Sequence, residues 1–228
     1  EQMQLNQGAW IFTSATLAVN GDFGHFCHRL GLVPQRQFSL ASPFDYADQA
    51  RLCVPRYLPE PNSPGMADKL VELLAPLIEH NQGRCFFLCT SHSMMKELGE
   101  RFRAILSLPV LLQGESSKQK TLAEFMALGN ALLVATGAFW EGIDVRGDAL
   151  SCVIIDKLPF TAPDDPLLKA RIEDCRMQGG DPFTQVQLPD AVITLKQGVG
   201  RLIRDKTDKG VLIICDNRLV TRDYGGIF

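Results

Sequence analysis

The chain alternates between short runs that are apolar throughout and longer stretches in which apolar side chains recur every three or four residues. The continuous runs predict buried β-strands at 50–54, 84–89, 109–113, 131–136, 152–158 and 210–215. The periodic stretches predict helices at 23–32, 67–81, 93–106, 118–128, 165–177 and 189–204. Two shorter runs, 8–13 and 38–40, predict further strands.

This order of elements predicts an α/β fold. Strands that are apolar throughout and separated by helices favour a mostly parallel central sheet with helices on both faces. Right-handed crossovers then place the loops that follow the strands along one edge of the sheet, where ligands bind in open α/β sheets.

The amino-acid composition limits the kind of protein this can be but does not identify a ligand. The 228 residues are 46% hydrophobic and carry a net charge of -3, which gives no electrostatic argument for nucleic acid. No apolar run reaches the roughly 18 residues of a membrane span, and residues 1–7 lack the basic and apolar regions of a signal peptide, so a cytoplasmic protein with no membrane partner is expected. The seven cysteines form no C-x-x-C pair, and four of them lie in strand-like runs as small core residues: Cys85, Cys89, Cys152 and Cys215. We therefore expect no metal site.

The segment 197–204, Gln-Gly-Val-Gly-Arg-Leu-Ile-Arg, is the most informative motif. On a helix, offsets of four and seven bring Gln197, Arg201 and Arg204 to one face. Two planar guanidiniums beside an amide suit a polyphosphate whose charge shifts during reaction. A helix end with solvated arginines is the alternative.

Two loops that follow predicted strands carry polar residues. Thr136 ends the predicted strand 131–136, and Gly137 opens the loop after it, in which Glu141 and Asp144 can accept hydrogen bonds or pair with arginines. The alternative is a capped turn with a buried Trp140. After 84–89, the hydroxyls of Thr90 and Ser91 and the start of the next helix form a plausible phosphate cradle. An ordinary N-cap at Ser91 or Ser93 is the alternative.

Near the start of the chain, Thr13, Ser14 and Thr16 place small hydroxyls at the end of the first predicted strand. Such residues can relay hydrogen bonds between a nucleotide site and a neighbouring domain. With the Thr90 loop, the segment 136–144 and the segment 197–204, they form an ordered set that resembles the third to sixth motifs of superfamily 2 helicases. The segments 139–144, 154–160 and 224–226 resemble the DinG/XPD (Rad3-like) branch of that superfamily.

The resemblance implies the second RecA-like (P-loop NTPase-like) domain of a motor. The chain contains no G-x-x-x-x-G-K-[ST] loop and no acidic magnesium motif, which members of this family carry on their first domain. Residues 1–17 would then be the last strand of the first domain with a linker, and residues 18–228 the second domain. By itself the chain is expected to hydrolyse no ATP.

The resemblance also assigns roles to residues. Arg204 would be an arginine finger with Arg201 as its partner, Gln197 would contact the γ-phosphate or the attacking water, and the other ATP-binding residues would be Glu141, Gly142, Asp144 and Gly200. Arg201 and Arg204 are expected to face the carboxyl edge of the sheet, near Asp144. Contacts to the DNA backbone would come from Thr90, Ser91, Thr136 and Gly137, and coupling between domains from Thr13, Ser14 and Thr16.

Family members bind ATP and Mg²⁺ mainly through their first domain, which also carries an iron–sulfur cluster. The resemblance implies the same for the longer protein to which this chain would belong. Family members act on single-stranded or forked DNA, moving 5′ to 3′, in bacterial DNA repair and replication. Some associate with the chi subunit of the replicative DNA polymerase. Two alternatives stay open: a nucleic-acid or protein-binding module that keeps the RecA-like fold without the motor, and an unrelated α/β metabolic enzyme.

Overall fold

A computed structural model describes residues 9–33, 36–139, 145 and 149–228 of the chain. Strands are β1 (Ala50–Cys53), β2 (Cys85–Leu88), β3 (Val110–Leu112), β4 (Leu132–Ala135), β5 (Cys152–Ile155) and β6 (Gly210–Ile214). Helices are α1 (Gly24–Leu30), α2 (Tyr46–Gln49), α3 (Met66–His80), α4 (His92–Ile105), α5 (Lys118–Leu128), α6 (Pro166–Met177), α7 (Leu188–Val199) and α8 (Arg218–Thr221). Single turns lie at Gly137–Phe139 and Asp223–Ile227, and a π-turn at Phe183–Gln187 leads into α7.

The six strands form one sheet in the order β1-β6-β5-β2-β4-β3, and each neighbouring pair is parallel. The prediction of an α/β fold built on a parallel sheet is confirmed. Alternate strand residues enter two cores, because successive side chains of a strand point to opposite faces. Phe87 packs with α3 and α4 on one face, while Phe86 packs with Phe125 of α5 and Leu195 of α7 on the other.

Local signals set where several helices begin. A side-chain oxygen at the N-cap accepts a hydrogen bond from a backbone N–H of the first turn in α4, α5 and α6, from Ser91, Ser117 and Asp165 respectively. The N-cap interpretation of Ser91 is therefore confirmed. The cysteines predicted to be core residues are buried in the sheet.

The helix predicted to run to Arg204 ends at Val199, so that prediction is wrong at its carboxyl end. Gly198 and Gly200 weaken the helix, and the next two N–H groups bond three residues back instead of four: Arg201 N to the Gly198 carbonyl and Leu202 N to the Val199 carbonyl. Arg201 and Arg204 therefore lie in a turn and not on a helix face with Gln197.

Neither of the two shorter runs forms a strand in the residues described. Within 9–13, Trp10 stacks on Phe12 and Phe12 meets Phe26 edge-on, while Ile11 stays exposed. Leu40 is 92% exposed in the second run, 38–40. A strand needs a neighbour that takes up its backbone hydrogen bonds, and neither described segment pairs with a strand of the sheet. The division of the chain at residue 17 stays a prediction.

Candidate functional site

The central strands end in register at their carboxyl ends. In register, Leu88 of β2 lies beside Ala135 of β4 and Ile155 of β5, and Ile155 lies beside Ile214 of β6. The residues that follow these strands, among them Thr90, Thr136, Asp156 and Asp216, therefore meet at one edge, which we call the carboxyl edge. The sequence correctly grouped Thr90 with Thr136 here but passed over the two aspartates.

Asp156 ties two loops of the carboxyl edge together. Its carboxylate accepts hydrogen bonds from the Thr90 N–H at 3.0 Å, the Thr90 hydroxyl at 3.1 Å and the Lys157 N–H at 2.8 Å. Burial raises the pKa of the Asp156 carboxyl to about 6, against these hydrogen bonds and the Lys157 charge, which lower it. Both donors of Thr90 are thus bonded within the protein.

Thr136 is held in a similar way by Gln113, which follows β3. The Gln113 side-chain oxygen accepts from the Thr136 N–H at 2.6 Å and from its hydroxyl at 3.4 Å, and Thr136 is buried. The neighbouring Gly137 is exposed, and a Cβ placed there would meet nothing within 4 Å. This part of the edge therefore has a fixed base and an open backbone surface.

Ser91 is half-buried, and its hydroxyl oxygen accepts the Met94 N–H at 3.3 Å. Capping uses a lone pair and leaves the hydroxyl hydrogen, which can turn toward Ser93, 3.2 Å away, or toward an outside acceptor. Lys118, at the start of α5, lies over the Phe139 ring with its ammonium 5.5 Å from the ring centre. A hydroxyl, an open backbone turn and a cation thus share the carboxyl edge.

Asp216 is the second acid that sequence reasoning missed. It is fully buried, and its carboxylate accepts from the Leu158 N–H at 2.8 Å and from Arg218 through the backbone and the guanidinium. Hydrogen bonding to Asp216 raises the pKa of Arg218. An acid directly after an all-apolar strand was the available signal for both Asp156 and Asp216, as it was for the hydroxyls of Thr90 and Thr136.

The Gln197–Arg204 segment lies at the opposite edge. Leu202 packs where a Cβ on Gly210 would stand, at the first residue of β6. Gln49, directly before β1, donates to the Asp205 and Asp208 carbonyls. The turn that holds Arg201 and Arg204 is therefore at the amino ends of β1 and β6, the amino edge, because it precedes a strand and does not follow one.

This placement corrects the expectation that all predicted site residues share the carboxyl edge. Arg201, Arg204 and Gln197 are each half-buried, and Gly200 is exposed at the end of α7. Arg204 donates its backbone N–H to the Asp208 carboxylate at 2.8 Å. The predicted ATP-binding residues Glu141, Gly142 and Asp144, with Trp140, lie outside the described residues.

The predicted coupling residues lie in the segment before α1. The Ser14 oxygen accepts the Thr16 N–H at 3.2 Å and lies 3.3 Å from the Thr16 hydroxyl, and Thr13 is exposed. Lys196 of α7 donates to the Ala18 carbonyl at 3.4 Å. This segment thus contacts the helix that leads into the Arg204 turn.

Asp190, in the first turn of α7, binds α1, the helix that follows this segment, more strongly than Lys196 binds Ala18. Its carboxylate meets His25 at 2.9 Å and Arg29 at 3.0 Å, both from α1, and Arg171 of α6 at 3.3 Å. Burial acts to raise the pKa of Asp190, but the His25 hydrogen bond and the two arginines outweigh it and hold that pKa below its usual value.

Within the described ranges, no group of three or more His, Cys, Asp or Glu side chains could hold a metal ion. An iron–sulfur cluster, which is held by four cysteine thiolates or a similar set, therefore has no such ligand group among these residues. None of the helices in this part of the chain is long and apolar enough to cross a membrane.

Comparisons with known proteins agree with this architecture. The helicase C-terminal domain family matches residues 74–228, more than half of the chain. Over all 228 residues the chain is 67% identical to the ATP-dependent DNA helicase YoaA of Escherichia coli K12, of which it covers 36%. It is 39% identical to the ATP-dependent helicase DinG of Mycobacterium tuberculosis H37Rv, over 94% of this chain and 33% of that protein.

A solved XPD helicase superposes on 78% of this chain, and on 33% of its own, with a TM-score of 0.63 at 20% identity, which shows a RecA-like fold. The chain spans about a third of the length of the helicases it matches. From the match to residues 74–228 and the similarity to these helicases, the chain belongs to the helicase C-terminal domain family, on the DinG/XPD-like branch of superfamily 2.

Proposed function

We propose that this chain is the second motor domain of an ATP-dependent DNA helicase, with nucleotide-binding residues at the amino edge of its sheet and DNA-binding residues at the carboxyl edge. The observation that carries the proposal is the separation of two sets of polar residues onto opposite edges of the same sheet, one at the amino ends of β1 and β6 and the other at the carboxyl ends of β2 and β4. The 67% identity to a protein named as an ATP-dependent DNA helicase supports it.

At the amino edge, Arg201 and Arg204 are the residues that act on ATP. The nucleotide binds between this domain and a first motor domain, which holds its phosphates and the Mg²⁺. Arg204 acts as the arginine finger, because its planar guanidinium can donate to two oxygens of the transferring phosphoryl group as negative charge shifts there. Gln197 orients the γ-phosphate or the attacking water, and Arg201 and Gly200 add to the nucleotide site at this edge. We propose that Glu141, Gly142 and Asp144, from the loop that follows β4, contact the same nucleotide.

At the carboxyl edge, Ser91, Gly137 and the start of α4 bind the phosphates of one DNA strand. The Ser91 hydroxyl and the Gly137 backbone are groups that contact phosphate without reading sequence. Lys118 adds a cation to the same edge. Thr90 and Thr136 shape this surface through Asp156 and Gln113, since their own donors are bonded internally.

The strands join the two edges rigidly. Strands β2, β4 and β5 are each four residues long, about 13 Å at 3.3 Å per residue. Closure of the amino edge on ATP therefore moves the carboxyl edge, and the bound strand, as one body relative to the first domain. Repeated closure and opening drive movement along DNA in the 5′ to 3′ direction, with Thr13, Ser14 and Thr16 linking the domains.

The test is single-stranded-DNA-stimulated ATP hydrolysis by the full-length protein that carries this chain. Arg204→Ala is expected to lower kcat by about 10³-fold or more, the range of arginine fingers, while single-stranded DNA binding is retained. Lys206→Ala is the matched control, because it removes an exposed cation from the same turn. An unchanged kcat for Arg204→Ala would remove Arg204 from the mechanism.

The isolated chain gives a second test. Purified alone, it is expected to show no Mg²⁺-dependent ATP turnover with single-stranded DNA, because the residues that hold the triphosphate belong to the first domain. A rate comparable to that of a helicase would contradict this assignment. Salt-dependent DNA affinity in the full-length protein, without any response to nucleotide, would instead indicate a binding module that has lost the motor.

A further inference from the structure

Gln49 is a buried amide that reaches into the Arg204 turn. It is 5% exposed and is the last residue of α2, directly before β1. Its side-chain nitrogen donates to the Asp205 carbonyl at 2.8 Å and to the Asp208 carbonyl at 2.9 Å. Both hydrogens of the amide are therefore used on a segment more than 150 residues away in the chain.

Asp208 closes the same turn from inside. It is 9% exposed, and one oxygen of its carboxylate accepts the Arg204 N–H and the Asp205 N–H, both at 2.8 Å. On the other side of Arg204, Ile203 is 6% exposed in the core. The backbone of Arg204 is thus fixed on both sides, and Gln49 holds the two carbonyls that flank the end of the turn.

These contacts replace what a helix would otherwise supply. Arg204 lies five residues beyond the end of α7, so no helical hydrogen-bond ladder sets its position. The register of β1 with β6 puts Ala50 beside Gly210 and so brings Gln49 next to the end of the turn. The Gln49 amide therefore connects the edge strand of the sheet to the segment that carries the proposed arginine finger.

We propose that Gln49 is a positioning residue for ATP hydrolysis: it holds the 204–208 turn so that the Arg204 guanidinium meets the transferring phosphoryl group. This inference rests on the role of Arg204 in the proposed function. A group that stabilises developing charge must be held to within about 0.5 Å, and a misplacement of about 1 Å costs about 100-fold in rate.

The chemistry of the site favours an amide at this position. The Asp205 and Asp208 carbonyl oxygens each accept one hydrogen bond here, and the NH₂ group of Gln49 supplies both donors without bringing a charge into the site. A glutamate would turn a carboxylate toward the two carbonyls, while its protonated form would restore one donor. A methionine has a side chain of about the same length and supplies no hydrogen-bond donor.

The experiment uses the full-length protein and compares Gln49→Met with Gln37→Met, which changes an exposed glutamine. Single-stranded-DNA-stimulated ATPase activity is measured over a range of ATP concentrations. Gln49→Met is expected to lower kcat by about 10-fold to 100-fold. The KM for ATP and the Kd for single-stranded DNA stay near wild type, and Gln37→Met changes none of these quantities.

Two further variants separate positioning from general loss of structure. In Gln49→Met/Arg204→Ala, kcat is expected to equal that of Arg204→Ala alone, because Gln49 acts through Arg204 and its loss then has nothing left to disturb. In Gln49→Glu, kcat relative to wild type at each pH is expected to rise as pH falls, because protonation restores a donor.

An unchanged kcat in a folded Gln49→Met protein overturns the inference, and so does a further loss in the double variant. If Gln49→Met does not fold, Gln49→Glu decides: recovery at low pH supports the inference, and a constant ratio to wild type overturns it. If Arg204→Ala itself retains wild-type kcat, the proposed function fails. If Arg204→Ala is inactive and Gln49→Met is normal, only the present inference fails.

Discussion

Asp156 makes the stability of this chain depend on pH in an unusual direction. The carboxyl is 3% exposed, and burial raises its pKa from 3.8 to about 6. The folded chain therefore holds this proton more tightly than the unfolded chain does. The contribution of Asp156 to the free energy of unfolding is fully present below pH 3.8 and is lost as pH rises through about 6.

The size of the effect follows from the shift. Each pKa unit corresponds to about 1.4 kcal/mol, so the interval from 3.8 to about 6 amounts to about 3 kcal/mol. The variant Asp156→Asn keeps the shape and an acceptor oxygen but cannot ionise. At pH 4 part of this change has already occurred, so the free energy of unfolding of wild type minus that of Asp156→Asn should fall by about 2.4 kcal/mol between pH 4 and pH 7.

The assay is urea unfolding of wild type and Asp156→Asn at half-unit steps across this range. Asp164→Asn, at an exposed aspartate, is the matched control and should show no comparable fall. A difference that stays constant with pH would refute the reasoning. A difference that grows in favour of wild type as pH rises would show that the Thr90 and Lys157 hydrogen bonds to the carboxylate outweigh its burial.

Two further changes test the packing at each edge of the sheet. Asp216→Ala should lower the free energy of unfolding by about 3 kcal/mol in urea, because it strips the partner from the three-quarters-buried Arg218; a loss below about 1 kcal/mol would contradict this. Gly83→Ala should lower the melting temperature more than Gly129→Ala. Both glycines have φ near +67°, but only at Gly83 would the new Cβ lie 2.5 Å from the Asn130 carbonyl carbon, and equal shifts would count against that clash.

The strands and most helices were predictable because their signals are local. An apolar run such as 131–136 has few ways to hide from water other than as a central strand, and the strand found is Leu132–Ala135. The helix predicted at 118–128 is found with those bounds, since Ser117 caps its start and Gly129 ends it in a left-handed conformation.

The carboxyl end of α7 was harder to predict. A pattern of Gln197, Arg201 and Arg204 fits a helix face, but Gly198 and Gly200 lower the helix propensity just where the chain turns back to begin β6. Burial of Leu202 and Ile203 against the sheet holds the turn, and that contact exists only in the folded chain. The pattern therefore identified the residues and misjudged their geometry.

The carboxyl edge was predicted in part. Thr90 and Thr136 were placed together correctly, because residues that follow parallel strands meet at one edge. Their internal partners, Asp156 and Gln113, follow other strands, and which strand lies beside which is not written in the apolar pattern. The expectation that Arg204 would join this edge was wrong, because its segment precedes a strand.

By itself the sequence determined most of the elements, the parallel α/β class and the motif residues, since each depends on side chains close together along the chain. The tertiary structure alone decided that two sets of polar residues lie on opposite edges, and that Gln49 reaches a turn near residue 205. Those facts depend on the order β1-β6-β5-β2-β4-β3, which arises from packing the whole sheet between its helices. Hydrophobic burial is non-directional, so it selects buried strands without specifying their neighbours, and hydrogen bonds formed after the strands assemble fix the site.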